Sequence, residues 1–274
     1  MNKETFKTII AIPGRLKSSR LPNKLIADIN GRSMIQRVIE QCKKVKSSSD
    51  LFLCTDSKAV AEIGYKLDVN VLLTSEDIQS GSERIASVLN KIIEKKWSVN
   101  LKDIDLKDKS KIYKNTFIVN VQGDQPFLDE KVIEKMIEIF IRNNGISQVI
   151  TPIYKLSKES IFNPNVVKLV LNHNKQVQYF SRSPIPFIRG IEEEKWHENA
   201  NFWGHVGIYG YRADVLRDWN CYKKSNLENL EKLEQLRLIQ AGIIFDTFLV
   251  KGDFLSVDTK NQLYEAIEIA KNIN

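Results

Sequence analysis

Two kinds of apolar pattern alternate along the first half of the chain. Short unbroken runs, Ile9-Ile-Ala-Ile12, Leu51-Phe-Leu-Cys54, Val69-Asn-Val-Leu-Leu73 and Phe117-Ile-Val-Asn-Val121, read as buried strands, because a strand covered on both faces shows a run and not an alternation. Between them apolar residues recur at helical spacing. Met34, Ile35, Val38, Ile39 and Cys42 predict a helix through about Lys44, with Ser33 placed to cap it. A short helix follows from Lys58 to about Lys66, and Ile85, Val88, Leu89, Ile92 and Ile93 mark a longer one. Strands alternating with helices point to an α/β fold.

The second half is less regular. Asp129 begins a helix through about Ile141, and Ser147 to Ile153 reads as a strand. Val166 to Leu171 and Val177 to Phe180 predict a hairpin with His173 at its tip as a turn residue. Ser181 to Pro186 must be extended, because its alternate prolines exclude helix. Trp203 to Tyr211 reads as one strand with His205, Gly207 and Tyr209 on a shared face. Glu228 to about Gln240 predicts one helix with Leu230, Leu233 and Leu236 inward, Phe245 to Val250 a returning strand, and Thr259 the start of a last helix. Residues 95–115, where lysines alternate with aspartates, show little apolar periodicity and read as an exposed insertion in a single domain spanning 1–274.

Composition narrows the function classes. A net charge of +7 over 274 residues is modest, and the lysines are spread along the chain. A nucleic-acid surface is not required, since polyanionic small molecules explain the local clusters as well. Cys42, Cys54 and Cys221 form no C-x-x-C pair, which argues against disulfide frameworks and zinc clusters and for a reducing compartment. No apolar stretch reaches the roughly 18–20 residues of a membrane helix. The first residues lack a signal-peptide apolar region, so the expectation is a cytoplasmic protein without membrane insertion.

The chemistry collects after the first strand. Pro13 and Gly14 end it, Pro22 keeps the next stretch from becoming helix, and Arg15, Lys17, Ser18, Ser19, Arg20 and Lys24 lie between or beside them. Open α/β sheets bind ligands beyond the carboxyl ends of their strands, and guanidinium and ammonium groups there suit a triphosphate. A solvated basic loop is the competing reading. The stretch is neither a Walker loop nor the G-x-G-x-x-G fingerprint, which argues against a nucleoside triphosphatase of that type and an NAD-dependent dehydrogenase. Asp124, beside Gly123 at the tip of the strand from Phe117, suggests metal coordination. Asp258 precedes Thr259 and Gln262, whose spacing is that of a capping box, which leaves the aspartate free to coordinate. Ser80 and Gly81 open a helix whose free N–H groups could meet an anionic or polar ligand. Asp56 could contact a bound base or cap the helix from Lys58.

The pattern I-P-x-R-x-x-S-x-R-x-P-x-K over Ile12 to Lys24 resembles the opening of the sugar-activating cytidylyltransferases, and more closely the CMP-Kdo synthetase (3-deoxy-manno-octulosonate cytidylyltransferase) family. Further motifs follow in order: Ser80-Gly-Ser-Glu-Arg84, Gln122-Gly-Asp-Gln-Pro126, Phe162 to Lys168, Tyr179 to Arg182, His205 to Arg212, Leu227 to Arg237 and Val257-Asp-Thr259. The resemblance implies a three-layer nucleotide-diphospho-sugar transferase fold with a mixed, mostly parallel sheet flanked by helices. It implies a homodimer built partly through 160–225, with CTP and an acidic sugar as substrates and Mg2+ as cofactor. The implied reaction joins CTP and 3-deoxy-manno-octulosonate (Kdo) into CMP-Kdo and pyrophosphate, for lipopolysaccharide or capsule-type glycans. A sister enzyme for an amino-substituted Kdo or a sialic-acid-like sugar is the alternative. Carried over residue by residue, Arg15, Lys24, Asp124 and Asp258 are catalytic, with Asp124 and Asp258 holding the metal. Arg15, Ser19, Arg20, Lys24, Ser80 and Gly81 bind nucleotide, and Gln122, Arg182, His205, Tyr209 and Glu234 line the sugar site. The chain departs from the family pattern at Gly14, commonly Ala, at Gln125, often Glu, and at Gly252 to Ser256, bulkier than the usual glycine-rich run.

Overall fold

The first apolar run becomes a strand with neighbours on both sides. In the computed structural model, which describes residues 5–18, 20–47, 50–252 and 254–273, β1 (Lys7–Gly14) is buried at every residue after Lys7. A small hairpin, β2 (Asp28–Ile29) and β3 (Arg32–Ser33), leads into α1 (Met34–Lys43), where Ser33 caps by accepting from the Gln36 N–H. Then come β4 (Leu51–Thr55), α2 (Lys58–Lys66), β5 (Asn70–Leu73), α3 (Gly81–Trp97), α4 (Leu106–Lys114), β6 (Thr116–Asn120) and α5 (Glu130–Arg142). The chain continues through β7 (Val149–Lys155), α6 (Lys158–Ile161), β8 (Lys168–Leu171), β9 (Val177–Ser181), α7 (Trp196–Asn199), β10 (Trp203–His205), β11 (Tyr209–Arg212) and α8 (Ala213–Arg217). Last are α9 (Asn226–Glu231), α10 (Leu236–Gln240), β12 (Phe245–Leu249) and α11 (Lys260–Ile273).

Two compact units result. The first comprises the described residues of 1–145, 210–219 and 253–274, the second those of 146–209 and 220–252. In the first unit β5, β4, β1 and β6 lie side by side, all parallel, with Ile10 opposite Leu51 and Ile9 opposite Ile118. Helices α1 and α2 pack on one another, and α8 packs on α3 and α4. Two helix groups are what a strand buried on both faces needs, and they give the expected three-layer α/β arrangement. Phe117 on β6 stacks on Phe140 of α5 with ring centroids 4.3 Å apart. A satellite core of Leu21, Ile29, Met34, Val257, Ala266 and Ala270 clamps α11 to the segment after β1.

In the second unit β7 pairs parallel with β12 and antiparallel with β10; β8 pairs antiparallel with β10 and β9. Lys168 on β8 is buried, and its ammonium donates to the carbonyls of Asn163, Val166 and Arg182. Burial, reinforced by the Arg182 charge, lowers its pKa to about 8.

Three expectations change. The strand expected over 203–211 is two, β10 and β11, separated by a turn in which Gly207 takes φ +84°, a conformation costly for other residues. The helix expected from Glu228 to Gln240 is also two, because Lys232 adopts the left-handed conformation and ends α9. Leu230, expected inward, is 79% exposed, whereas Leu233 and Leu236 are buried. Residues 95–115 carry the end of α3 and all of α4, which Asp105 caps, with Leu101, Ile112 and Tyr113 buried and Leu106 exposed.

A Cβ built on Gly210 would stand 2.1 Å from Phe117 Cζ. Gly210→Ala should therefore destabilise the protein by about 1–3 kcal/mol through overpacking. Phe117→Leu added to it should recover part of that loss, as read from denaturant melts of the single and double variants.

Candidate active site

Where β1 ends, the basic loop turns over a cavity of about 300 Å³. One wall is the loop itself, with Arg15, Lys17, Ser18, Arg20 and Lys24. A second is the entry to α3, with Gln79, Ser80, Gly81 and Arg84; Gln122, Gly123, Asp124 and Asp258 complete it. Ser80 caps α3 by accepting from the Glu83 N–H at 3.2 Å. Gly81 is closely packed, since a Cβ would come within 3.0 Å of Pro13 and 3.1 Å of Gln122 Oε1. A more open hollow of about 640 Å³ shares Arg15, Lys17, Ser18 and Gln79.

Three segments distant in sequence meet at one ammonium. Lys24 Nζ lies 2.6 Å from Asp124 Oδ2 and 2.9 Å from Asp258 Oδ1, and Arg20 adds a 3.0 Å contact to Asp258 Oδ2. Burial, the largest single influence on Lys24, pushes its pKa down, but Asp124 and Asp258 together outweigh it and the net shift is upward. Local structure fixes both carboxylates. Gln262 accepts from the backbone N–H groups of Asp258 and Thr259, and Thr259 accepts from Gln262 N–H, so the capping box forms as expected. The Val257 N–H donates to the Asp124 carbonyl at 2.9 Å, which ties the two acidic segments together. The two carboxylates that converge on Lys24 are of the type that could hold a hard cation keeping its other positions for phosphate and water.

Leu255, part of the bulk that distinguishes 252–256 from the family pattern, is directed elsewhere. Leu255 packs against the satellite core, and neither it nor Phe254 belongs to the cavity wall. Gln125 is buried and likewise outside that wall.

Asp56 does not cap α2. Ser57 caps α2 by accepting from Val60 N–H, while Asp56 Oδ2 pairs with Arg84 at 2.9 Å and Oδ1 accepts from Leu16 N–H at 3.3 Å. Arg84 is 2% exposed, and motif reading left it without a role although it closes the Ser80-Gly-Ser-Glu-Arg84 stretch. A second buried network runs from Gln122, whose amide donates to Asn120, through Asn120 to Ser82 and on to the Tyr211 hydroxyl. Residue type alone signals none of its three inner members.

The structure thus brings Arg15, Arg20, Lys24, Ser80, Gly81, Gln122, Asp124 and Asp258 around one cavity; Ser19 lies outside the described residues. The other four candidates belong to the second unit. Arg182 donates through Nε to the Glu231 carbonyl at 2.8 Å and through Nη1 to the Pro164 carbonyl at 3.0 Å. Glu231, which sequence reasoning passed over, accepts from the Ser181 hydroxyl and the Arg182 N–H. Glu234 sits in the turn between α9 and α10, and Arg237 forms a buried pair with Glu228 at 2.5 Å. His205 and Tyr209 share a face across the turn at Gly207, with ring centroids 5.1 Å apart. The Thr151 hydroxyl donates to the Ile208 carbonyl at 2.8 Å, so it accepts from His205 Nε2 at 3.1 Å, which places the imidazole proton on Nε2.

Comparison with known proteins gives a consistent result. The cytidylyltransferase family model matches residues 9–246. The 3-deoxy-manno-octulosonate cytidylyltransferase of Chloroherpeton thalassium is 36% identical over 94% of this chain and 95% of its own. The protein of that name from Francisella tularensis subsp. novicida is 39% identical over 85% of this chain and 86% of its own. The solved structure of CMP:2-keto-3-deoxy-manno-octonic acid synthetase complexed with CTP superposes with a TM-score of 0.83 at 32% identity, covering 98% of this chain and 100% of that one.

Burial among the rings of Phe180 and Tyr209 pushes the His205 pKa from 6.5 down to about 3. The unfolded chain therefore takes up a proton that the folded chain refuses, and His205 lowers stability as pH falls from about 6.5 toward 3. In His205→Gln the melting temperature should fall less steeply over that window than in wild type, a slope that pH-dependent melts measure.

Proposed function

The chain belongs to the cytidylyltransferase family, and on that premise we propose that it joins CTP to Kdo, forming CMP-Kdo and releasing pyrophosphate. The observation that carries this reading is the meeting of Lys24, Asp124 and Asp258 at the cavity edge, beside the arginines of the basic loop. The sugar's anomeric hydroxyl attacks the α-phosphorus of CTP, the bond to the bridging oxygen of the β-phosphate breaks, and pyrophosphate leaves. Arg15, Arg20 and Lys24 neutralise the outer phosphates, an electrostatic stabilisation of charge that builds as the bond breaks. Ser80 and Gly81 offer the start of α3 to the nucleotide. Asp124 and Asp258 would hold Mg2+, which when bound draws charge from phosphate oxygens. In the free chain Lys24 and Arg20 are paired with those carboxylates, and a triphosphate gives both cations a more highly charged partner.

Arg182, His205, Tyr209 and Glu234 are assigned to the sugar by the family motifs they occupy. Arg182 supplies the guanidinium suited to a sugar carboxylate, and the neutral His205 serves as a hydrogen-bonding and packing group. The departures at Gln125 and Leu255 lie off the wall of the nucleotide cavity. We place the enzyme in the cytoplasm as a homodimer. Free thiols at Cys42, Cys54 and Cys221 and the exposed Phe187 within 160–225 support this, and sedimentation velocity tests the dimer. The product is an activated acidic sugar for glycosyl transfer into lipopolysaccharide or capsule-type glycans.

A pyrophosphate-release screen crossing four nucleoside triphosphates with Kdo, an amino-substituted Kdo and a sialic acid tests the reading. CTP with Kdo should give the highest kcat/KM, and no release from that pair would end it. Asp124→Asn and Asp258→Asn should each lower kcat by about 10²–10³-fold, and the double variant should be little worse than either. Lys24→Ala should weaken CTP binding about tenfold or more and CMP binding far less; equal losses for both nucleotides would remove Lys24 from the outer phosphates.

A further inference from the structure

Arg84 stands in the first turn of α3, a place where the helix dipole disfavours a cation, yet it is 2% exposed. Its guanidinium is committed to four partners. One nitrogen donates to the Thr74 hydroxyl and the Ser75 carbonyl, the other to the Ile78 carbonyl at 3.1 Å and to Asp56 at 2.9 Å. Asp56 supplies the buried counter-charge, with its side chain 8% exposed. An arginine buried there without that carboxylate would carry an uncompensated charge.

The remaining contacts lead to the basic loop. Asp56 accepts the N–H of Leu16, the residue next to Arg15. Arg15 itself donates to the carbonyl of Gln79 at 3.1 Å, one residue beyond the Ile78 carbonyl that Arg84 holds. Arg15, Leu16, Asp56, Arg84, Ile78 and Gln79 thus form a closed ring of covalent and hydrogen-bonded links, with Asp56 and Arg84 as its buried half. The α2 cap does not need Asp56, since Ser57 caps the helix.

We propose that the Asp56–Arg84 pair is a positioning device for Arg15, fixing its backbone from one side and its guanidinium from the other so that it meets the triphosphate. The proposal rests on the reading of the cavity as a CTP site. Its chemical content is that Asp56 acts on phosphate binding without touching phosphate. A lysine at 84 would not serve, because an ammonium lacks the planar fork that spans Asp56, Thr74 and Ile78.

Calorimetric titration of the full chain with CTP and with CMP, on wild type, Asp56→Asn, Arg15→Ala, the double variant and Arg84→Lys, tests this, with a thermal melt of each. Asp56→Asn and Arg84→Lys should each weaken CTP about tenfold or more and CMP less than threefold. Arg15→Ala should cost as much alone, but add less than twofold to Asp56→Asn, because residues that act through one another are not additive. Losses that multiply in the double variant would overturn the proposal. So would an Asp56→Asn protein that melts lower but binds CTP within twofold of wild type; that result marks a purely structural pair. If wild type itself fails to bind CTP, the reading of the cavity falls and the proposal with it, an outcome distinct from the other two.

Discussion

One ammonium between two carboxylates organises the candidate active site. Lys24 comes from the loop after β1, Asp124 from the loop after β6, and Asp258 from the start of α11. A half-buried lysine is tolerated there because each carboxylate offsets part of its desolvation. Those carboxylates in turn depend on backbone held elsewhere. The satellite core seats α11 against Leu21 and Ile29, and the Val257–Asp124 backbone hydrogen bond sets one acidic segment on the other. The parallel sheet supplies the rigid end from which two of the three segments emerge.

Charge is balanced differently at two depths. At the cavity edge Lys24, Arg20, Asp124 and Asp258 are partly exposed and paired with one another, so they can exchange partners when a polyanion and a cation arrive. Arg84, in the same cavity wall, and its partner Asp56 have side chains that are almost wholly buried and bonded on several sides. Breaking that pair would strand a charge, so it serves as framework. The same residue types thus supply either reactivity or rigidity according to their access to water.

Most of the first unit was legible in the sequence because its signals are local. An apolar run makes a buried strand, Ser33 and Thr259 cap helices, and a loop rich in arginine and lysine after a strand marks a ligand site. The misreadings come from single residues that interrupt a sound pattern. Lys232 in a left-handed conformation splits a helix whose leucines keep their spacing across the break, and Gly207 does the same to a strand. Helix α4 went unread because only Ile112 and Tyr113 of its nine residues are buried. The role of Asp56 could not be read because its partners, Leu16 and Arg84, lie 40 and 28 residues away. Lys24, Asp124 and Asp258 were nameable separately through a family motif; that they share one hydrogen-bonded centre is a tertiary fact.

The first unit is assembled from three stretches of chain, with the whole of the second unit's sequence threaded between them. This sets a timetable for synthesis. A ribosome exposes Lys24 and Asp124 early, and Asp258 only after the intervening residues are made, a delay on the order of ten seconds at common elongation rates. During that interval Lys24 has one of its two carboxylates, and the groove that receives α11 is open. The nascent chain therefore carries its basic loop and parallel strands before Asp258 can complete the cluster around Lys24.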